Sequence, residues 1–500
     1  MFKRHPFCLG AALISLAITA SAEDTVQPSV PTPELLTNAH GEGRQWTGIG
    51  RLTRPGGSQC IASLIDSRAP GMAASGPAYL VTAGHCVDKR NGVIGHDTEI
   101  EGSISFNFFV DTQDQRHTFA LKRTLWSSMQ GLDLALLELD ASLSQVMAQG
   151  IVPLALAADS PPGANVHVIG ESSANELGLR LTTCSQATTD FVIAAPWVWR
   201  NIYSTDCLGL GPGSSGSPVI DVQSGRLLSV LNSVSEPISG KAAPCSLSSP
   251  CQVPVQTDKP ALTTGFSIPL GRLQGCFAQG FANLSLDSCQ LLPGFELIVE
   301  KNPRSLTKIA TDAEGNERLP RWGLSFSLNT PRYRYKTVRN PLACENPEGY
   351  SGTIAAEQNH IDEPIGPEPG WHFLCLIGVD SAEHKPSPAL MGNSLSLATQ
   401  LLPAAPVPDP DMTVTALPNG NVQVSWRTAP PHLTLYRVKR GPPATTDCQD
   451  PAGFRHLRHK RYEFKAQQLP LTLCTVSEDL IEQRSAVRTD LLQPAASGKK

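Results

Sequence analysis

Short apolar runs separated by turn residues are the feature of this sequence that most constrains its fold. Between Trp46 and about Leu273 the chain has runs at 61–65, 78–82, 134–139, 166–169, 218–221 and 227–231, with Gly, Pro, Ser and Asn between them. Runs of this length with such boundaries are typical of β-strands, and no long helical period competes with them. The 41 Gly and 42 Pro among 500 residues also favour turn-rich β-structure. We therefore predict a mainly β chain that contains a barrel or sandwich.

An internal repeat occupies the part of the chain beyond about residue 294. Three segments recur in the same order at offsets of 103, 104 and 99 residues; they begin at Tyr333, Cys344 and Leu374 and return at Tyr436, Cys448 and Leu473. Each copy spans about 100 residues, carries its own cysteine pair and alternates apolar with polar residues, which is the size and pattern of a β-sandwich. The second copy, with Trp426 on an early strand and Tyr436 on a later one, resembles a fibronectin type III or related immunoglobulin-like module.

The N-terminus has the pattern of a secretory signal peptide. Residues 1–22 begin with Lys3 and Arg4, continue through an apolar stretch and end in Ala-Ser-Ala. The apolar stretch is too short for a transmembrane helix, which needs about 20 residues. Cleavage would remove Cys8 and leave twelve cysteines, an even number that suits disulfides in an oxidising compartment. We expect a secreted, extracellular protein, with the periplasm as the alternative.

Charge and motif spacing exclude several other classes of protein. The formal net charge is −5, and removal of the basic leader makes it −7, so no global attraction to nucleic acid is expected. No Cys-x-x-Cys or His-Glu-x-x-His pattern occurs, and we predict neither a metal nor a cofactor. Gly211, Gly213 and Gly216 match a dinucleotide fingerprint in spacing, but a strand-like run follows them where that motif requires a helix.

Three ordered segments supply the chemistry of nucleophilic catalysis. They are Thr82-Ala-Gly-His85-Cys86, Asp133-Leu-Ala-Leu136 and Gly213-Ser-Ser215-Gly-Ser-Pro218, and their His, Asp and Ser lie 48 and 82 residues apart. A serine hydroxyl is a weak nucleophile and needs an imidazole to accept its proton. The imidazole needs a shielded carboxylate that fixes its tautomer. Glycines around the serine allow a sharp turn that directs backbone N–H groups at one point.

These segments resemble the histidine, aspartate and serine motifs of chymotrypsin/trypsin-fold serine endopeptidases, and of the bacterial secreted members in particular. The resemblance covers about residues 46–275 and implies a double β-barrel. It implies His85 as general base, Asp133 as orienting acid and Ser215 as nucleophile. It also implies an oxyanion hole made by the N–H groups of Gly213 and Ser215, and a disulfide between Cys60 and Cys86.

Two departures from the animal enzymes concern activation. Ser214 stands where they have an aspartate before the nucleophile, and no Arg-Ile-Val-Gly-Gly sequence occurs near Trp46. Activation by a new N-terminus that binds this aspartate is therefore not expected. Residues 23–45 are predicted to be an extended lead-in or a propeptide, and both interpretations remain open.

The same resemblance places a specificity pocket at Gly209, Leu231, Asn232 and Val234. No carboxylate occurs six residues before the nucleophile, where trypsin-like enzymes bind Lys or Arg. We therefore expect a small or medium apolar residue before the scissile bond.

Proximity suggests the pairing of the remaining cysteines, with Cys207–Cys245 as a competing bridge. The proximity pairs are Cys184–Cys207, Cys245–Cys251, Cys276–Cys289, Cys344–Cys375 and Cys448–Cys474.

A basic run at 454–461 stands out in the second repeat. It contains Arg455, Arg458, Lys460 and Arg461. Such a run is either a solvated face or a contact for acidic polysaccharide, lipid headgroups or nucleic acid. No sequence-specific nucleic-acid binding is expected, and the oligomeric state stays undetermined.

The resulting hypothesis is a secreted serine endopeptidase with C-terminal modules that bind substrate, a surface or a partner, or that space the barrel outward. The alternative is a catalytically silent, protease-like adhesion or binding protein. The predicted boundaries are 1–22 (signal), 23–45 (lead-in), 46–275 (protease domain), 276–293 (disulfide-closed connector), 294–402 (sandwich repeat 1), 403–411 (Pro-rich linker), 412–492 (sandwich repeat 2) and 493–500 (tail).

Overall fold

The computed structural model describes most of the chain. It covers residues 33–494 apart from 57–58, 70, 91–92, 158–162, 172–177, 236–244, 247–248, 253–263, 292–293, 313 and 428–432. The predicted signal peptide and residues 23–32 of the predicted lead-in lie outside the described residues. Among the helices that are described, none has the length and apolar character needed to cross a bilayer.

Fourteen strands and two short helices make up the described N-terminal half. The strands are β1 (Glu34–Leu35), β2 (Ile49–Thr53), β3 (Gln59–Ile65), β4 (Pro77–Thr82), β5 (Ile94–Glu99), β6 (Ser103–Phe106), β7 (His117–Ser128), β8 (Leu134–Ser142), β9 (Asn165–Gly170), β10 (Arg180–Ala194), β11 (Trp197–Thr205), β12 (Pro218–Asp221), β13 (Leu227–Ser235) and β14 (Thr264–Pro269). The helices are α1 (Leu143–Ala148) and α2 (Gly271–Gln274), with 3₁₀ turns at Arg44–Trp46, Gly84–Cys86 and Gln113–Gln115.

These strands form two closed β-barrels. In the first, the order β7-β6-β2-β3-β4-β8 returns to β7, and β5 is attached to β7. In the second, the order β10-β11-β14-β13-β12-β9 returns to β10, and β1 is attached to β10. The six predicted runs all lie on these strands, and the predicted mainly β fold with a chymotrypsin-like double barrel is confirmed.

Continuous apolar runs arise where a strand is buried on both faces. Along β8, Leu134 and Leu136 belong to a core shared by both barrels, whereas Ala135 and Leu137 point into the first barrel. Successive side chains of a strand point to opposite faces, so a strand at the barrel junction needs apolar residues at every position. This junction is where the three segments that contain His85, Asp133 and Ser215 meet.

Part of the predicted lead-in belongs to the second barrel. Glu34 and Leu35 pair with Leu181 and Arg180 of β10. The backbone N–H groups of Asn38 and Ala39 donate to the carboxylate of Asp111. The fold therefore begins earlier than the predicted start at Trp46.

The C-terminal half contains two further β domains. Its strands are β15 (Phe277–Ala278), β16 (Phe281–Ala282), β17 (Leu297–Lys301), β18 (Leu306–Lys308), β19 (Ala310–Thr311), β20 (Glu317–Arg318), β21 (Leu324–Leu328), β22 (Arg332–Val338), β23 (Ile354–Ala355), β24 (His360–Ile361), β25 (Gly370–Val379), β26 (Leu395–Leu402), β27 (Met412–Ala416), β28 (Val422–Trp426), β29 (Leu433–Gly441), β30 (Arg455–His456), β31 (Arg461–Phe464), β32 (Leu471–Asp479) and β33 (Arg488–Leu492). Helix α3 (Pro388–Gly392) and 3₁₀ turns at Pro341–Glu345 and Ala466–Gln468 complete it.

Each of these domains is a two-sheet sandwich. In the first, sheet β17-β21-β24 packs on sheet β18-β26-β25-β22-β23 around a core that includes Trp322, Phe326 and Leu376. In the second, sheet β27-β28-β31 packs on sheet β30-β29-β32-β33 around Trp426, Phe464 and Leu473. The predicted sandwich class is confirmed for both.

A buried arginine joins the first sandwich to the second barrel. Arg200 on β11 has no exposed side-chain surface, and its Nε lies 3.1 Å from Oε1 of Glu345. Its guanidinium also donates to Oγ of Ser396 at 2.5 Å and to the carbonyls of Gly392 and Ser394. Burial lowers the pKa of Arg200, an effect that Glu345 opposes. These contacts hold the first sandwich against the second barrel.

A second buried ion pair joins the two sandwiches. Nζ of Lys308 on β18 lies 2.9 Å from Oδ2 of Asp479 on β32, and both side chains are at least 96% buried. The segment between β26 and β27 carries no regular structure, as the Pro-rich linker prediction implies. This linker does not by itself determine how the sandwiches are arranged, because Lys308 and Asp479 hold them directly.

Six disulfides cross-link the described chain. They are Cys60–Cys86, Cys184–Cys207, Cys245–Cys251, Cys276–Cys289, Cys344–Cys375 and Cys448–Cys474. The competing bridge between Cys207 and Cys245 is not formed.

The two sandwiches share one local arrangement. In the first, Lys336 lies opposite Cys375 across two strands, and its ammonium is 4.5 Å from the ring centre of Tyr350. In the second, Lys439 lies opposite Cys474, and its ammonium is 6.0 Å from the ring of Phe454.

Candidate active site

The first barrel brings His85 and Asp133 together at its edge. His85 lies in the 3₁₀ turn that follows β4, and Asp133 immediately precedes β8. These strands pair with Thr82 opposite Ala135, so the two side chains emerge side by side. His85 Nδ1 is 2.7 Å from Asp133 Oδ2, and the His85 backbone N–H donates to Asp133 Oδ1, also at 2.7 Å.

Burial gives this pair its electrostatic character. The Asp133 side chain is fully buried, whereas 11% of the His85 side chain is exposed. A buried carboxylate with two hydrogen bonds to one residue fixes the orientation of the ring and the nitrogen that carries the proton. The other ring nitrogen, Nε2, is then available for proton transfer.

Gly84 permits this close approach. A Cβ at this position would lie 2.1 Å from the carbonyl oxygen of Ser128 and 3.0 Å from Asp133 Oδ1. Contacts below 3.0 Å would force the turn away from Asp133, so the small residue before the histidine has a geometric cause.

The second barrel contributes Ser215 from a tight turn before β12. Gly213 and Gly216 on either side of it have φ of +95° and +85°, which L side chains rarely adopt. The turn is attached to both barrels, because the Ser215 carbonyl accepts from Ile61 N–H at 2.8 Å and Gly216 N–H donates to Leu231 O at 2.7 Å. Ser215 is thereby placed on the same cavity as His85.

Polar groups of Ser215 and Gly213 are available to a ligand. Neither the Ser215 hydroxyl nor the N–H groups of Gly213 and Ser215 hydrogen-bond another described residue. Hydrogen bonds of a catalytic site often form fully only when substrate is bound.

Ser214 holds the turn without a charged pair. Its side chain is buried, its Oγ donates to the carbonyl of Glu171 at 3.0 Å, and Oγ accepts from Gly211 N–H at 3.3 Å. The sequence showed that the usual aspartate is missing here. Neutral hydrogen bonds hold the turn instead, and one of them goes to the carbonyl of Glu171, a residue that no motif indicated.

The Glu171 carboxyl lies in a partly buried cluster with two arginines. Its Oε2 is 3.5 Å from Arg51 Nε, and Arg116 lies over the ring of Phe108 at 3.8 Å. Burial raises the pKa of Glu171, although Arg51 and Arg116 act in the opposite direction.

The cavity between the barrels has a volume of about 690 Å³, within the usual range for ligand sites. His85, Gly213 and Ser215 line it together with Leu231, Asn232 and Val234. Three of the four residues predicted for the specificity pocket therefore line this cavity. The fourth, Gly209, is not among the lining residues and lies against Pro33, to which a Cβ at Gly209 would approach within 2.1 Å.

Sequence reasoning missed several residues of this cavity. Gln59, Lys89 and Ser246 also line it. Ser246 lies within the short loop closed by Cys245–Cys251, and this close cysteine spacing was the one signal that could have drawn attention to the loop. No acidic side chain is among the described lining residues.

The first sandwich supports the loop that carries Asp133. Gln130 Nε2 donates to the carbonyl of Asn393 in the first sandwich at 3.1 Å. The Gly131 carbonyl accepts from the backbone N–H of Arg200 in the second barrel at 3.0 Å. These contacts lie two and three residues before Asp133, and no motif in the sequence indicated them.

A grouping of possible metal ligands near the site is accounted for by a disulfide. Ligand atoms of Cys60, His85 and Cys86 lie within 4.8 Å of one another. The two sulfurs are bonded to each other, so neither is a thiolate that could bind a metal.

Comparison with known proteins finds a similarity to peptidases in the part of the chain that carries this site. No curated protein matches the chain. Similar solved structures include the thermostable serine protease AL20 from an extremophilic microorganism (16% identity, 45% of this chain and 92% of that chain, TM-score 0.30). Others are kallikrein-related peptidase 10 (15%, 46% and 92%, TM-score 0.30) and the protease Anisep from Arthrobacter nicotinovorans (16%, 45% and 90%, TM-score 0.28). Residues 65–230 match the family model of the trypsin-like peptidase domain, and this span includes His85, Asp133 and Ser215.

Proposed function

We propose that this protein is a serine endopeptidase in which Ser215 is the nucleophile, His85 the general base and Asp133 the orienting acid. The observation that carries the proposal is the double hydrogen bond between His85 and buried Asp133, on a cavity that Ser215 shares. The match to the trypsin-like peptidase domain supports the same assignment.

The chemistry follows from the roles of these groups. His85 Nε2 accepts the Ser215 proton as Oγ attacks the peptide carbonyl, and Asp133 stabilises the imidazolium. The negative charge on the carbonyl oxygen is stabilised by the N–H groups of Gly213 and Ser215. The imidazolium then protonates the leaving amine, and an acyl-enzyme remains that water hydrolyses by the same steps in reverse.

We further propose that the residue before the scissile bond is small or medium-sized and apolar. Leu231 and Val234 supply apolar surface next to Ser215, and no described lining residue is acidic. Digestion of a peptide library tests this, and preferred cleavage after Lys or Arg would overturn it.

We propose an exported protein, since six disulfides persist only where the surroundings are oxidising. The signal peptide at 1–22 and the domain boundaries predicted from the sequence belong to this proposal, with the start of the barrel domain moved from Trp46 to β1 (Glu34–Leu35). The shared arrangement around Lys336 and Lys439 supports the interpretation of the two sandwiches as copies of one module.

Casein digestion by wild type and Ser215→Ala tests the function. We expect fragments from the wild type and none from the variant, with equal melting temperatures. Undiminished digestion by Ser215→Ala would disprove the assignment. No digestion by folded wild type would favour the silent binding protein.

A further inference from the structure

The second sandwich contains a cavity that the proposed peptidase does not use. Its volume is about 880 Å³, and strands β28, β29, β30 and β31 contribute its lining. The size is that of a site for a small ligand or for a short stretch of a polymer.

The lining of this cavity is strongly basic. Arg437 and Lys439 line it but are engaged, since Arg437 pairs with Glu478 at 2.6 Å and Lys439 with Asp450 at 3.1 Å. Three further cations of the lining form no ion pair with another described residue; they are Arg440, Arg455 and Arg458. None of the described lining residues is acidic. The cavity therefore has an unbalanced positive charge that complements an anion.

Aromatic surface lies beside these cations. The Arg440 guanidinium lies 4.9 Å from the ring centre of Tyr462 and 5.4 Å from that of Phe464. This contact orients the planar donor group of Arg440. Tyr462 is 36% exposed and leaves ring surface for a ligand.

An unsatisfied donor also lines the cavity. Trp426 is 4% exposed, and its Nε1 has no hydrogen-bond partner among the described residues. A buried indole N–H normally has a partner.

The fold does not require the basic residues. At the offset of 104 that aligns Cys344 with Cys448, the run 454–461 corresponds to 350–357 of the first sandwich. That segment reads Tyr-Ser-Gly-Thr-Ile-Ala-Ala-Glu and contains no Arg, Lys or His. The first sandwich has the same local architecture without these charges, so a purely structural role does not explain them.

We propose that this cavity binds an acidic polysaccharide, with Arg440, Arg455 and Arg458 contacting its carboxylate or sulfate groups. Sugar rings present apolar faces to Tyr462. Single-stranded nucleic acid fits less well, because it requires several successive stacking rings, whereas only two of the Phe, Tyr and Trp rings in the described lining, those of Phe454 and Tyr462, are partly exposed.

The test uses the full chain with Ser215→Ala, so that binding is measured without proteolysis. Heparin, a sulfated uronate polymer, is the probe, and its affinity is followed from 50 to 300 mM salt. The cavity variant is Arg440→Gln with Arg458→Gln. The matched control is Arg318→Gln with Arg427→Gln, which removes the same charge at side chains that are 72% and 74% exposed outside the cavity.

We expect the cavity variant to bind heparin roughly tenfold or more weakly and to lose about two units of salt slope, and the control to stay within about twofold of wild type. Trp426 fluorescence should change on binding in the wild type. Equal weakening in both variants would overturn the proposal, because it would show attraction to net charge alone. Tighter binding of single-stranded DNA than of heparin at equal salt would also overturn it. Neither outcome bears on peptidase activity, which is measured separately.

Discussion

Loss of the Glu345 charge should weaken the joint between the first sandwich and the second barrel. Glu345→Gln keeps the size of the side chain but leaves the guanidinium of Arg200 without its carboxylate. Arg200 has no exposed side-chain surface, so water cannot replace the lost partner. Asn201 Nδ2, which donates to both Glu345 oxygens at 3.1 Å, loses one charged acceptor as well.

The magnitude follows from what remains around Arg200. Removal of one partner of a buried ion pair costs about 3–5 kcal/mol. Ser396 Oγ and the carbonyls of Gly392 and Ser394 still accept from the guanidinium, and Glu345 is 27% exposed. We therefore expect a loss of about 2–3 kcal/mol, at or below the lower end of that range. In a folding unit of about 150–250 residues, a loss of stability of this magnitude lowers the melting temperature by roughly 5–10 °C.

Thermal unfolding followed by circular dichroism measures this effect, together with kcat/KM on a fluorogenic peptide. Arg318→Gln is the control, since its 72% exposed side chain forms a surface pair with Asp312 that is worth below about 1 kcal/mol. Activity should also fall in Glu345→Gln, because the first sandwich holds Gln130, three residues before Asp133, through the carbonyl of Asn393. Equal melting temperatures for Glu345→Gln and Arg318→Gln would refute the reasoning.

Three further perturbations test the nucleophile turn. Gly216→Ala places a Cβ 1.9 Å from the carbonyl oxygen of Ile61 and should lower kcat/KM by about 100-fold or more. Gly225→Ala is the control, since Gly225 also has a positive φ but has open space around it, and this variant should keep its activity. Ser214→Ala removes the bond to the Glu171 carbonyl and should lower kcat by about tenfold, at a cost of about 1–2 kcal/mol in stability; an unchanged kcat would argue against this role. Glu171→Gln tests pH dependence. Burial raises the pKa of Glu171 in the folded protein, so the wild type loses stability as the pH rises above the pKa that this carboxyl has in the unfolded chain. The gain of the Gln variant over wild type in urea unfolding should therefore be larger at pH 8 than at pH 4, and a smaller gain at pH 8 would contradict the assignment.

The sequence predicted those parts of the fold that depend on local pattern. The short runs on β3, β4, β8, β9, β12 and β13 were visible because each is apolar and bounded by turn residues. The class of the two sandwiches followed from repeat length and alternation. Their packing did not, because contacts such as those of Arg200 with Glu345 and of Lys308 with Asp479 join residues more than 140 positions apart.

The residues of the candidate site fall into the same two groups: those that local motifs predict and those that only contacts between distant parts of the chain reveal. The three motif segments named His85, Asp133 and Ser215, and the structure places His85 and Ser215 on one cavity, with buried Asp133 hydrogen-bonded to His85. Spacing could not show that Ser214 is held by the carbonyl of Glu171, because any residue type has a carbonyl. Gly209 was placed in the pocket by counting from the nucleophile, but Pro33 occupies the space beside it, and no count along the chain shows that contact.

Labelling by a fluorophosphonate probe tests the central claim most directly, because the probe reacts with an activated serine and needs no knowledge of the substrate. We expect the wild type to be labelled on the peptide that contains Ser215. Ser215→Ala should not be labelled, and Asp133→Asn should be labelled far more slowly because the tautomer of His85 is no longer fixed. Labelling that persists in Ser215→Ala, or a folded wild type that does not react, would contradict the account.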